Sequence, residues 1–242
     1  MAFIKNTNTD KPVFTLYLDE NTIPHIKKGN KKLGKNIYHI DLLPFNDIIS
    51  YKGNGRPLCN VVGSCGKYCA VCKEKCYAAN YIRRFANTCI PAYGENTLLA
   101  RKNIAKYFAE IDNFISTKKV KIFRWHVSGE ILSEAYYVNM RNLAIKHPEI
   151  NFYVYTKAFD IIEKYNTEIE NFHLLVSQWH KCYKNPMGYA EFIYDDGTEP
   201  ELETVFHCPA VRKDGTETGI TCEQCGRCPN AKRGDKIAVY AH

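Results

Sequence analysis

Eight of the eleven cysteines lie in two short groups, at spacings that suit metal binding by thiolates. The first group, SCGKYCAVCKEKC, spans residues 64–76, and the second ends in TCEQCGRC at residues 221–228. Their members are Cys65, Cys69, Cys72, Cys76, Cys208, Cys222, Cys225 and Cys228. In a reducing compartment, clustered thiols are more often metal ligands or redox groups than disulfides. Because soft thiolates select iron–sulfur clusters, zinc or Cu(I), we predict a metal site at each group.

The composition is that of an ordinary globular protein. The 242 residues, 45% hydrophobic and 24% charged, suit one large domain or one domain with a small appendage. No apolar run approaches the roughly 18 residues that cross a bilayer, and the start, MAFIKNTNTDKPVF, lacks a signal-peptide pattern. We therefore expect a cytoplasmic protein that does not enter a membrane. The formal charge of +7 is compatible with nucleic-acid contact, although a solvated basic surface is the commoner explanation.

Strand-like and helix-like segments alternate along the middle of the chain. The predicted strands are residues 36–45, 120–129, 151–157 and 171–179, and the predicted helices are 76–85, one after Pro91 that includes 104–115, 133–147 and 158–166. This alternation favours βαβ units and a parallel sheet. We predict an α/β fold, a partial (β/α) barrel with parallel strands over residues 1–207 that carries the first metal site. A small cysteine-rich C-terminal tail, residues 208–242, carries the second site and packs across one end.

Polar motifs follow the predicted strands. The first cysteine group comes after the first strand, and SGE (128–130), TK (156–157) and QWH (178–180) each end a later one. Functional sites gather at the carboxyl ends of parallel strands, so we expect these motifs to share one rim. Arg124 and His126 lie two apart in one predicted strand, which places their side chains on the same face.

The first cysteine group can be interpreted in two registers. Cys65-x3-Cys69-x2-Cys72 resembles the radical S-adenosylmethionine (SAM) superfamily, in which three thiolates hold a [4Fe–4S] cluster whose fourth iron is left for SAM. Cys65-x6-Cys72-x3-Cys76, followed by YA, resembles a family of phage-encoded, cysteine-rich proteins of unassigned activity related to radical-SAM-like barrels. If all four thiolates bound the cluster, no iron would be left for SAM. A SAM-binding cluster therefore uses the three cysteines of one register only. We prefer the second and keep Cys69 as a candidate ligand.

The second cysteine group resembles a ferredoxin-like cluster site. Cys222-x2-Cys225-x2-Cys228 is followed by Pro229, and Cys208 supplies a fourth thiolate that closes a [4Fe–4S] site. Zinc is the alternative, but it prefers paired Cys-x2-Cys knuckles from two places in the chain. The same tail also resembles the phage family, so the resemblance covers roughly residues 58–242. We therefore predict two [4Fe–4S] clusters, with zinc as the alternative.

The resemblance also implies residues that bind a cofactor or substrate. Gly129 and Glu130 correspond to the Gly-Gly-Glu element with which radical SAM enzymes bind the methionine amino group, although Ser128 stands in place of the first glycine. Lys157 could pair with a substrate carboxylate or phosphate. His207, beside Cys208, is better explained as a hydrogen-bonding residue than as a ligand.

Three functions are compatible with these motifs. The first is a radical-SAM-like enzyme, which needs SAM and an electron donor. The second is a non-catalytic iron–sulfur protein with a structural, electron-transfer or redox-sensing role. The third is a zinc-stabilised nucleic-acid-binding protein. If the protein is phage-encoded, we expect it in the cytoplasm of the host cell. The sequence indicates neither a substrate nor an oligomeric state.

Overall fold

The computed structural model describes residues 18, 20–45, 48–51, 59–72, 76–179 and 182–240. These residues form two compact units. The first contains the described residues up to 26 together with 40–118 and 126–136, and the second contains 27–39, 119–125 and the described residues from 137 onward. Residues 208–240 thus share a unit with the second half of the chain. The predicted division of the chain into residues 1–207 and a cluster-binding tail, residues 208–242, stays a prediction.

In the part of the chain that the structure describes, ten strands form two separate sheets. In chain order they are β1 (Ile26–Asn30), β2 (Gly34–Ile40), β3 (Ile48–Tyr51), β4 (Cys59–Val62), β5 (Ile122–Trp125), β6 (Asn151–Thr156), β7 (Phe172–Gln178), β8 (Ala190–Asp195), β9 (Phe206–His207) and β10 (Lys236–Tyr240). An eight-stranded open sheet has the order β1-β2-β5-β6-β7-β8-β10-β9, and β3 pairs with β4 antiparallel. Within this sheet, each pair of adjacent strands in the run β5-β6-β7-β8-β10-β9 is parallel. The predicted α/β class with parallel strands is therefore confirmed at this level.

The open sheet follows the chain order from β2 through β5, β6, β7 and β8 to β10. A doubly wound sheet reverses its order at a switch point, whereas a singly wound one does not.

The C-terminal tail, residues 208–242, was predicted to pack across one end of the fold. It does not simply do so, because its last strand, β10, lies inside the sheet between β8 and β9. The strand lies inside the sheet because Ile237, Ala238 and Val239 form an apolar run that is buried there.

Aromatic residues fill the core on one face of the sheet. Phe123 and Trp125 alternate with Arg124 along β5, so the two rings share one face and the guanidinium lies on the other. The Trp125 ring stacks on Phe152 of β6, with ring centroids 6.3 Å apart, and all three rings are fully buried. Such packing explains why short strands with few aliphatic residues are stable here.

The described residues also form six α-helices, namely α1 (Tyr77–Arg84), α2 (Ala86–Lys102), α3 (Ile104–Thr117), α4 (Glu134–Lys146), α5 (Phe159–Ile162) and α6 (Cys222–Cys225). The amphipathic stripe predicted over 104–115 is confirmed, since Tyr107, Phe108, Ile111 and Ile115 of α3 are buried. Asn103 begins this helix, because its side chain accepts a hydrogen bond from the Lys106 N–H.

Two predicted helix boundaries are wrong. Helix α2 begins before Pro91 and contains it, because Cys89, Ile90 and Tyr93 on either side pack into one buried cluster with Leu43. That packing outweighs the backbone hydrogen bond that proline cannot donate. Helix α5 has four residues rather than the nine of 158–166, because the Lys164 and Tyr165 N–H groups bond to carbonyls only three residues back and the helix ends.

Candidate metal centres

The first cysteine group lies in a loop of the first unit that is anchored at both ends. Next to β4, the Ser64 N–H donates to the Leu43 carbonyl oxygen (2.6 Å) and the Cys65 N–H to that of Phe45 (2.9 Å). A 3-10 helix, Gly66–Val71, follows. At the far end, the Cys76 carbonyl oxygen accepts from the Ala79 N–H in the first turn of α1. The two ends of the group are thus held by hydrogen bonds of the protein itself.

Three thiols of the first group lie close to one another. Cys65, Cys72 and Cys76 are all half-buried. A hydrogen bond with Cys72 raises the pKa of the Cys76 thiol, and burial and the nearby Cys65 raise it further. These are the three cysteines of the preferred register. The side chain of Cys69 lies outside the described part of the chain, so the choice between the registers stays open.

The SGE loop packs against the cysteine loop in the same unit. Gly129 has φ +95°, and a Cβ built there would lie 2.6 Å from Ser64 Oγ and 2.7 Å from Leu42 Cβ. The Glu130 N–H donates to Ser64 Oγ (3.0 Å), and the Leu42 N–H donates to the Ser128 carbonyl oxygen (2.9 Å). Ser64 directly precedes Cys65, so its hydrogen bond with Glu130 links the SGE motif to the first cysteine group. These are two of the motifs that were expected to lie on one rim.

Glu130 and Ser128 are buried rather than solvated. The Glu130 side chain belongs to a residue that is only 5% exposed, and its Oε1 accepts from the Ile131 N–H at 2.8 Å. The buried Ser128 hydroxyl makes no hydrogen bond to any residue that the structure describes. A buried hydroxyl without a partner costs about 1–3 kcal/mol, so a ligand that bonds to it would bind favourably.

Sequence reasoning missed Asp41, which fixes the same loop. Its Oδ1 accepts from the backbone N–H groups of Val127 (2.9 Å) and Ser128 (3.2 Å), and Asn96 donates to its carbonyl oxygen (2.9 Å). The available signal was position alone, because Asp41 directly follows β2 of the large sheet. A lone carboxylate at that place is too common to be singled out.

His126 lies outside β5, contrary to the prediction that it continues the strand with Arg124. Its φ is +56°, which turns the chain away from the strand and removes the alternation that would align the two side chains. Its Nε2 lies 3.0 Å from the Tyr136 hydroxyl, which lies 3.0 Å from that of Tyr107. All three groups are buried in the first unit, so this chain of hydrogen bonds is an internal polar network.

The second cysteine group lies in the second unit, on two anchored segments. The Cys208 N–H donates to the Ala238 carbonyl oxygen in β10 (2.7 Å), and the Cys222 N–H to that of Lys32 (2.8 Å). Thr221 and Gln224 form a capping box that starts α6, and Gly226, in the left-handed conformation, ends it. These caps fix the two ends of the short helix that carries Cys222 and Cys225.

The four thiols of the second group are electrostatic neighbours. The pKa of Cys228 is raised to about 12, chiefly by burial; a hydrogen bond from Tyr155 opposes the increase, and the nearby Cys222 and Cys208 contribute to it. Burial also raises the pKa of Cys222 and of Cys208, each of which is next to Cys225. A site of this kind holds neutral thiols until a metal displaces their protons.

Two cations accompany the second group. The Arg124 guanidinium lies 4.6 Å from the centroid of the Tyr155 ring, and it lowers the pKa of Cys222 and Cys228. Lys32 lowers the pKa of Cys208 and Cys222. Positive charge beside buried thiols favours their ionised, metal-binding form.

The donors at both cysteine groups are soft thiolates, which zinc and iron–sulfur clusters both accept. In the described residues, no group of three or more His, Cys, Asp or Glu side chains is close enough to hold one metal ion. The chemistry of the donor set is therefore compatible with either kind of site.

The remaining rim residues lie in the second unit and contact protein groups. Lys157 follows β6 and donates to the Ser177 hydroxyl (3.0 Å), and Trp179 stacks on Tyr194 with ring centroids 4.0 Å apart. His180 lies outside the described residues. His207 has Nδ1 2.9 Å from the Val205 carbonyl oxygen and Nε2 2.9 Å from a carboxylate oxygen of Asp195. Both ring nitrogens thus face acceptors, as expected for a hydrogen-bonding residue rather than a ligand.

No helix in the described part of the chain is long and apolar enough to span a membrane.

Comparison with curated proteins and with solved structures gives no significant match. The profile of the family described as Gene product 88 matches residues 24–231. This range includes both cysteine groups and the SGE loop, and it begins well before residue 58, where the resemblance noted in the sequence starts. The chain therefore belongs to the Gene product 88 (GP88) family, a phage-type family of unknown activity.

Proposed function

We propose that this protein binds two [4Fe–4S] clusters, one at each cysteine group, and that the first cluster supports radical-SAM-like chemistry. The observation that carries the proposal is the set of neighbouring thiols at Cys208, Cys222, Cys225 and Cys228, half-buried apart from the buried Cys228, with Arg124 and Lys32 beside it. A cluster held by four thiolates is anionic, and these two cations offset that charge. In this proposal the protein works in the cytoplasm of the host cell and receives electrons from a donor.

The second site has a closed ligand set, so its role in this proposal is structural or electron transfer. Four thiolates occupy all four irons of a cubane and leave no position for a substrate. The Tyr155 hydroxyl and the Arg124 guanidinium then act on the sulfurs from outside. Hydrogen bonds and charge around a cluster set its reduction potential, so these two residues would tune it.

The first site has the open ligand set that SAM chemistry requires. Three thiolates, those of Cys65, Cys72 and Cys76, leave one iron without a protein ligand. Such a cluster, when bound and reduced, supplies the electron that cleaves SAM. The chain order of the strands from β2 to β10 supports the partial barrel in which this chemistry is usually housed.

The protein's own residues bind and orient the cofactor. Gly129 lets the backbone approach a ligand closely, because no Cβ fits at that position. The Glu130 carboxylate, oriented by the Ile131 N–H, would accept from the ammonium group of SAM, and the buried Ser128 hydroxyl would bond to the same ligand. Asp41 keeps the loop in register through its two backbone contacts. Lys157 would bind a substrate carboxylate or phosphate.

The ligand assignment is tested by comparing two cysteine variants. Cys222→Ser removes a ligand of the second cluster, whereas Cys182→Ser removes an exposed thiol outside both groups. We expect the first variant to lose about half of the iron and sulfide of the anaerobically purified protein, because one of two cubanes fails to assemble. The second variant should keep its full content. Equal iron in both variants would contradict the assignment.

SAM binding is tested by electron paramagnetic resonance of the dithionite-reduced protein. Adding SAM should change the spectrum, since a ligand at the open iron alters its electronic environment. Glu130→Gln should weaken this response, whereas Glu134→Gln, an exposed residue at the start of α4, should not. A full iron content without any response to SAM would favour a non-catalytic iron–sulfur protein instead.

Tyr155→Phe tests the tuning of the second cluster. We expect its reduction potential to fall by about 40 mV, because a hydrogen bond worth about 1 kcal/mol stabilises the more negative, reduced state. Tyr183→Phe, which removes a hydroxyl that donates to Glu163 and not to a cysteine, is the control. Potentiometric titration followed by electron paramagnetic resonance measures the shift. An unchanged potential in Tyr155→Phe would show that the hydroxyl does not act on the cluster.

A further inference from the structure

Helix α1 carries a row of exposed aromatic rings directly after the first cysteine group. Tyr77, Tyr81 and Phe85, four residues apart, are 47%, 39% and 44% exposed. The opposite side of the helix packs inward through buried residues, among them Ile82. Tyr77 and Tyr81 lie on one face of α1, and the ring of Phe85, the residue that follows the helix, packs against that of Tyr81. We call this row of three rings the aromatic ridge. Exposed apolar surface of this kind marks interaction sites.

Guanidinium groups accompany the aromatic ridge. Arg83 and Arg84 are exposed in the last turn of α1. The Arg84 guanidinium lies 5.6 Å from the centroid of the Phe85 ring, whose centroid is 4.9 Å from that of Tyr81. Flat π faces next to guanidinium groups offer stacking and positive charge in one place.

The positive charge of the chain is concentrated in the sequence segment that contains this helix. Residues 52–94 contain seven lysines and arginines and one acidic residue, whereas the whole chain contains 33 basic and 26 acidic residues. The rest of the chain is thus almost neutral, and nearly all of the excess of +7 belongs to this segment. A local excess of this size attracts a polyanion rather than a neutral partner.

We infer that the aromatic ridge of α1 binds single-stranded nucleic acid. Bases would stack on the exposed rings, and Arg83 and Arg84 would contact the phosphates, which is how non-specific single-strand binding proteins work. In a duplex the base faces are already stacked, so the rings would find no partner there. The exposed residues of α1 include no aliphatic side chain of the kind that forms the apolar centre of a protein interface.

The position of the ridge adds a consequence that rests on the proposed function. Tyr77 follows Cys76 directly, so a bound strand would lie beside the first cluster. Nucleic acid would then be the substrate class of that site. The binding surface itself depends only on the residues of α1.

The test is fluorescence anisotropy with fluorescein-labelled single-stranded DNA and RNA of about 15 nucleotides, the upper range of a single binding site. We expect binding that weakens as salt rises. Combined Tyr81→Ala and Phe85→Ala should weaken it at least about tenfold, from the usual effect of removing stacking rings. Combined Arg83→Glu and Arg84→Glu should reduce the slope of log affinity against log salt by about 1.4, for two lost phosphate contacts.

The chain offers a matched control for the aromatic change. Phe206 in the second unit is 42% exposed and has the Arg227 guanidinium 5.4 Å from its ring centroid, much as Phe85 has Arg84. Phe206→Ala should therefore leave binding unchanged. Tyr81→Phe keeps the π face and should also keep binding, which separates stacking from misfolding. Iron is measured in the same preparations, so a failed cluster assignment and a failed binding surface are observed separately.

Several results would overturn the inference. They are no detectable binding of either oligonucleotide, duplex binding as tight as single-strand binding, and full affinity in the Tyr81→Ala and Phe85→Ala variant. Cross-linking of an acidic redox protein at Tyr81, without competition by oligonucleotides, would replace the nucleic acid by a protein partner.

Discussion

Gly129→Ala is expected to lose about 3–5 kcal/mol of folding free energy, the range for a change that forces both backbone strain and overpacking. The φ of +95° is costly for any residue with a Cβ, and the new methyl group would lie 2.7 Å from Leu42 Cβ and 2.6 Å from Ser64 Oγ. Relief would require the SGE loop to move away from the cysteine loop. Urea denaturation followed by circular dichroism measures the loss, and metal binding at the first group should weaken with it.

Gly197→Ala separates strain from overpacking. Gly197 has a similar φ of +83°, but nothing lies within 4 Å of the position of its Cβ. Only the left-handed conformation is then costly, so the expected loss is about 1–2 kcal/mol. If both alanine variants lose the same free energy, the close contact of Gly129 with Ser64 and Leu42 has no part in stability.

Cys72→Ala is expected to remove the first cluster, whichever register applies, because Cys72 is a ligand in both. The iron content should fall from about eight to about four per chain, since the second cluster has its own ligands. Iron and sulfide determination on protein purified without oxygen measures this change. Any response of the spectrum to SAM should disappear as well, because the open iron belongs to the first cluster.

Cys69→Ala distinguishes the two registers. In the preferred register, with Cys65, Cys72 and Cys76, it should leave about eight irons per chain. In the alternative register it should behave like Cys72→Ala. Full iron in Cys72→Ala itself would show that the first group holds no cluster.

Strands β2, β5, β6 and β7 could be predicted from sequence because they contain buried runs of β-branched and aromatic residues. Residues 151–156, with four of six fully buried, illustrate this. The end of β5 could not be predicted, because the left-handed turn at His126 is imposed by tertiary hydrogen bonds. Its ring bonds to Tyr136, and its N–H donates to the Ile40 carbonyl oxygen. Likewise, α2 continues through Pro91 because of distant packing partners such as Leu43.

The candidate sites likewise contain residues that could be predicted from the sequence and residues that could not. The cysteines could be found from spacing alone, because ligands close in sequence need no knowledge of the fold. Their supporting residues could not, since Asp41 is far in sequence from the Ser128 N–H that it holds, and Tyr155 is far from Cys228. Such contacts exist only after the sheet has formed, and no local pattern encodes them.

The central claim is that the two cysteine groups hold iron–sulfur clusters, and the most direct test is the metal and sulfide content of the protein purified without oxygen. The account predicts about eight irons and eight acid-labile sulfides per chain, with no zinc. A colourless protein with zinc and no sulfide would contradict it and would mean that the thiols are zinc ligands.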